Sequence, residues 1–281
     1  MRKPDPILII DLFPPTREAL LGLLESLSPN DWERPTSCSQ WSVKDVALHL
    51  LGDDVGMLSR RRDQFNMPGV KPPQNWAELV ALINELNDAW VRAARRISPR
   101  LLIDLLRFTG PQVEAFFASL DPHAIGAPVD WASSAPAPNW LDLAREYTER
   151  WHHQQQIRDA VARPGLMEPR FFAPVLDAFV RALPHTFRNV AAPDAAVVQL
   201  TISGDSGGTW LLRRENSMWN LYAAHSADSS LSPAAIVTLG QDDAWRLFTK
   251  GLSRDAARPR ATLRGNITLA EKVLDTISVI G

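Results

Sequence analysis

Apolar positions recur at helical spacing through roughly the first 190 residues, then switch to strand spacing. Thr16-Arg17-Glu18 opens an amphipathic run through Leu20, Leu21, Leu23, Leu24 and Leu27. Ser42-Val43-Lys44-Asp45 is a capping-box start, and the helix it opens carries Val46, His49 and Leu50 and is expected to reach about Phe65. Asn75-Trp76-Ala77-Glu78 opens a third helix through Leu79, Leu82, Ile83, Leu86 and Trp90, ending near Ser98-Pro99. A fourth helical region covers roughly residues 100–120. It is expected to break near Gly110-Pro111, because proline removes a helix hydrogen bond. Residues 121–139, rich in Pro, Ala and Ser, read as loop. A fifth helix starts at Asn139 or Trp140 and is stopped by Arg163-Pro164-Gly165, and one more runs from about Pro169 to Asn189.

After Ala191-Ala192-Pro193-Asp194 the period becomes two. Val197 to Ile202, Thr209 to Arg213 and Trp219 to Ala223 predict a meander, with Ala235 to Leu239 a further strand. Helices at Asp242 to Lys250 and Leu269 to Ile277 flank a short strand at Ala261 to Arg264. The expectation is a multi-domain chain: an all-α part over residues 1–190 and a small α+β domain over 194–281.

Composition narrows the class. A hydrophobic share of 45% and a charged share of 22% describe a globular chain with a real core. The net charge of -2 argues against a binder of the nucleic-acid backbone. No apolar run approaches the ~20 residues of a bilayer span, and the charged, proline-broken start does not read as a signal peptide. Cys38 is the single cysteine, which excludes an intrachain disulfide and makes a cytoplasmic location the expectation.

The candidate chemistry lies in Glu149-Arg150-Trp151-His152-His153. Glu149 and His153, four apart on a helix, share a face. With His49 they would make the two-imidazole, one-carboxylate ligand set of a catalytic zinc with an open position. The bland alternatives are a core histidine at 49 and a solvated pair at 149 and 153. Gly204-Asp205-Ser206-Gly207-Gly208 copies the segment around a trypsin-like nucleophile, but the all-helical stretch before it provides no double barrel, so it reads as a hairpin turn. Cys38 shows no cue for a lowered pKa and reads as packing. Arg60-Arg61-Arg62 reads as a solvated face, and His123, His185 and His225 have no evident partners.

Two signatures together, Trp41-Ser42-Val43-Lys44-Asp45-Val46 with His49-Leu50, and Glu149-x-Trp151-x-His153-x-x-Gln156-Ile157-Arg158, resemble the DinB-like, mycothiol-dependent maleylpyruvate isomerase family. Cys38 falls where that family often has cysteine. The end of the chain, Arg264-Gly265-Asn266 through Leu269-Ala270-Glu271 to Val273-Leu274, resembles the sterol-carrier-like domain that accompanies it. The resemblance implies a DinB-like four-helix bundle holding zinc or another divalent metal on His49, Glu149 and His153. It also implies a low-molecular-weight thiol, mycothiol or similar, and a small electrophilic substrate, with isomerisation or S-transfer as the reaction. Arg158, Arg246 and Arg264 are the cationic candidates for carboxylates on thiol or substrate. The chain departs from the family in having Gln156 where an aspartate is common. The alternative is a non-catalytic, metal-stabilised binding protein whose carrier-like domain holds a small molecule or lipid against Trp210, Trp219, Trp245 and Tyr222. A hydrolase using zinc-bound water ranks last, since no separate general base is evident.

Overall fold

The computed structural model describes residues 1–38, 40–65, 68–69, 73–224 and 231–279, so the expectation for His225 lies outside the described residues. Helix α1 spans Phe13–Glu25, α2 Val43–Gly56, α3 Trp76–Ala94 and α4 Pro99–Ala118. The capping box is formed: the Ser42 side chain accepts from the Asp45 amide, and the Asp45 carboxylate accepts from the Ser42 amide at 3.1 Å. The Asn75 and Ser98 side chains accept from the Glu78 and Leu101 amides and so cap α3 and α4. A π-helical turn, Met57–Arg62, follows α2, so helical structure ends before Phe65.

Helix α4 does not break at Pro111. Gly110 lacks the Cβ that would crowd the proline ring, and side chains serve nearby carbonyls: Thr109 Oγ1 donates to Leu105 and Gln112 Nε2 to Phe108. Leu102, Leu106, Val113 and Phe117 are buried on both sides of the proline, so packing favours continuing. The stretch expected as loop holds an antiparallel hairpin, β1 Ile125–Val129 and β2 Ser133–Pro138. Its prolines disguised it, yet every strand of a two-stranded sheet is an edge, where proline is tolerated. Helix α5 spans Asn139–Val161. The helix expected to about Asn189 is split into α6 Pro169–Val180 and α7 Leu183–Phe187, because Pro184 has no N–H to offer the Val180 carbonyl.

The remaining elements are β3 Val197–Ser203, β4 Gly208–Glu215, β5 Met218–Ala223, β6 Ala235–Gly240, α8 Gln241–Phe248, α9 Arg254–Ala257, β7 Thr262–Gly265 and α10 Ile267–Val273. The short α9 was not foreseen, and α10 stops before Ile277. No helix among the described residues is long and apolar enough to cross a membrane.

The chain forms two compact units, one of residues 9–124 and 146–166, the other of 1–8, 125–145 and 167–279. In the helical unit Leu24, Trp32, Val46, Leu50, Leu102 and Ile157 share one core. Gly52 lets α3 approach α2, since a Cβ there would meet the Trp90 indole at 2.6 Å; that indole donates to the Leu48 carbonyl. In the other unit the sheet order is β5-β4-β3-β6-β7, with β3 and β6 parallel and the remaining neighbours antiparallel. Trp210, Trp219 and Trp245 are buried there, each Nε1 donating, to Asp177, Val190 and Asp242 respectively. Gly204-Asp205-Ser206-Gly207 is the β3–β4 turn, with Gly204 at φ +123° and Ser206 buried.

Asp45 joins the α2 cap to α3's end through a two-toothed pair with Arg95, at 2.9 and 3.0 Å. Burial pushes its carboxyl up, but the Arg95 and Ser42 hydrogen bonds outweigh that and hold it below the usual carboxylate value. Its contribution is therefore present at neutral pH and lost as pH falls through the lowered folded value. Asp45→Ala should cost about 1–2 kcal/mol at pH 7. The gap between variant and wild type, read by chemical denaturation, should close below about pH 4.

Candidate functional site

The interior of α5 is polar where a core helix would be apolar. Residues 151–157 are all buried, and His152 through Gln156 among them are polar. Buried polar groups of this kind require partners. Gln154 donates to the Thr16 carbonyl of α1, Gln155 to the Gly165 carbonyl, and the Gln156 side chain meets His153.

His49 on α2 and His153 on α5 meet at their Nε2 atoms, 3.1 Å apart. Glu149 Oε2 lies 3.3 Å from His153 Nε2, and Asp53 Oδ2 lies 3.2 Å from His49 Nε2. The structure thus brings together His49, Glu149 and His153, and adds Asp53. Gln156 Oε1 sits 2.8 Å from His153 Nδ1, the other ring nitrogen, and so turns Nε2 toward the cluster. The Trp41 ring covers His49, with centroids 5.0 Å apart. Among the described residues no group of three or more His, Cys, Asp or Glu side chains forms a ready-made metal cage. The four groups meet pairwise.

Burial and the neighbouring His153 push the His49 pKa down to about 3, so this imidazole is neutral. Burial also opposes charge on His153, but the hydrogen bond with Glu149, then the charges of Glu149 and Asp53, outweigh it and raise its pKa. Burial lifts the Asp53 carboxyl to about 7. A contact between two Nε2 atoms needs one proton between them, and these directions put it on His153, with neutral His49 accepting. His152, a buried neighbour rather than an exposed one, is held neutral by burial and by His153.

The profile of the mycothiol maleylpyruvate isomerase N-terminal domain matches residues 13–158. The chain belongs to that family. The match contains both signature segments and all four clustered side chains. Two crystal structures, of the mycothiol-dependent maleylpyruvate isomerase and of a histidine-to-alanine variant of it, share the fold. Each has a TM-score of 0.52 and 10% identity over 85% of this chain and 86% of the other. No curated protein matches the chain.

The family chain holds its cluster through a second, buried ion pair one residue away on each helix. Arg150 donates to Asp54 at 2.9 Å and to Glu146 at 2.8 Å. Its guanidinium lies 5.9 Å from the Phe13 ring centroid and 5.5 Å from that of Phe117, and Asp54 also accepts from Thr109 at 2.7 Å. Sequence reasoning missed Asp53, Asp54 and Arg150. Asp53 carried a signal, since it stands four after His49 as His153 stands four after Glu149.

The other candidates lie elsewhere. Arg158 is past the cluster on α5, donating to Gln154 and to the carbonyls of Ala19 and Arg163. Arg246 and Arg264 belong to the other unit, where Arg246 pairs with Asp242 and stacks over Trp245. Cys38 is half-buried, and burial together with Asp88 raises its pKa, which keeps it a thiol at neutral pH.

Arg150→Met should destabilise the protein by about 3–5 kcal/mol, since it strands Asp54 and Glu146 without their cation. Arg150→Met with Asp54→Leu should recover part of that loss, because Glu146 alone then stays without its cation. Urea unfolding of the single and double variants measures both.

Proposed function

We propose that this chain is a metal-dependent enzyme of the maleylpyruvate isomerase type, in which His49, Glu149 and His153 hold zinc or a similar divalent ion. The observation that carries the reading is the convergence of two Nε2 atoms and a carboxylate oxygen at 3.1 and 3.3 Å. Two imidazoles and a carboxylate are a donor set that would suit zinc or a similar divalent ion. We read the helical unit as a DinB-like bundle and the sheet unit as sterol-carrier-like.

An ion held by these three side chains would lower the pKa of a bound thiol and keep it as thiolate at neutral pH. The residues prepare that state. Burial keeps His49 neutral with a lone pair to offer. Gln156 fixes the orientation of His153 through Nδ1. Glu149 supplies negative charge, and the Arg150–Asp54 pair fixes α2 against α5. The reaction this supports is addition of the thiol sulfur to an electron-poor double bond, rotation about the resulting single bond, and elimination that returns the thiol. Without elimination the outcome is S-transfer. The thiol is mycothiol or a relative, and Arg158 of the helical unit is the proposed cationic group for its carboxylates.

Elemental analysis tests the reading. Purified wild type should carry about one zinc, or a similar divalent ion, per chain. His49→Ala and His153→Ala should each lose it while far-UV circular dichroism stays unchanged, and thiol-dependent isomerase activity should fall with the metal. Full metal content in His153→Ala would overturn the assignment.

A further inference from the structure

We propose that Asp53 is a fourth protein donor to the same centre, so that the ion would be held by two imidazoles and two carboxylates. This rests on the metal-site reading above and adds to it a residue outside the three-ligand set.

The two helices present mirrored pairs. On α5 the order is carboxylate then imidazole, Glu149 and His153; on α2 it is imidazole then carboxylate, His49 and Asp53, each four residues apart. Asp53 Oδ2 lies 3.2 Å from His49 Nε2, Glu149 Oε2 lies 3.3 Å from His153 Nε2, and the two Nε2 atoms are 3.1 Å apart. The choice of nitrogen decides between two roles for Asp53. A carboxylate that merely orients a ligand histidine bonds the ring nitrogen turned away from the ion. Gln156 does this for His153, through Nδ1. Asp53 instead approaches Nε2 of His49, the nitrogen facing His153. It sits on the donor side of the ring, the place of a ligand.

The Asp53 side chain is 29% exposed and that of Glu149 21%, against 8% and 11% for His49 and His153. The adjacent Asp54, not Asp53, holds Arg150 at 2.9 Å.

The test compares wild type, Asp53→Ala, Asp53→Asn and His153→Ala, each loaded with zinc and separately with cobalt(II). Zinc affinity is read by competition with a chelator, and the cobalt coordination by visible absorption. Both Asp53 variants should still bind one zinc, at least about 10-fold more weakly, since loss of even an orienting group costs that much. Their cobalt spectra should differ from wild type in position and intensity. Wild-type affinity and an unchanged cobalt spectrum in Asp53→Ala would overturn the role of Asp53 and leave the three-ligand site standing. A wild type that binds neither ion would overturn both readings.

Discussion

The Arg150–Asp54 pair fixes the geometry on which the helical unit's chemistry depends. Removing a guanidinium and a carboxylate from water is expensive unless they are well matched, and breaking such a pair costs more than forming it gained. Here the cation is matched by Asp54 of α2 and Glu146 of α5 and is packed against Phe13 of α1 and Phe117 of α4. One side chain thus touches residues of four helices. A slip of α5 by a single turn would bury uncompensated charge, so the helices are locked in the register that lets His49 meet His153.

The same register divides the labour between neighbours in the chain. Asp54 and Arg150 face the interior and hold structure, while Asp53 and Glu149, one residue away, face the cluster. Helical rotation of about 100° per residue accounts for this, since adjacent residues point to different sides. Polar residues buried along α5 serve both tasks. Gln154 ties the helix to α1, and Gln156 aims His153. Desolvation at this depth keeps His49 uncharged, a condition that an exposed imidazole of ordinary pKa would meet only in part at neutral pH.

Much of this could be read from residues alone, and the failures have physical causes. Caps at Ser42 and Asn75 placed two helix starts because the capping side chain and amide are local partners. The change to period-two alternation after Pro193 placed the meander. The convergence of His49, Glu149 and His153 followed from helical spacing and from the family resemblance, neither of which required tertiary detail. Prolines misled in both directions: Pro111 lies inside a continuous helix, and the proline-rich stretch before α5 holds a hairpin. In each case the surroundings override a local preference. The parallel pairing of β3 with β6, and the Arg150 network, depend on contacts between distant segments and leave no local signature.

The cluster's two halves stand 104 residues apart in the chain. During synthesis at about 5–20 residues per second, α2 leaves the ribosome seconds before α5. Through that interval Asp54 has no Arg150 to pair with, and His49 has no partner imidazole. Assembly of the cluster is consequently a late event in the life of the nascent chain, tied to the arrival of α5.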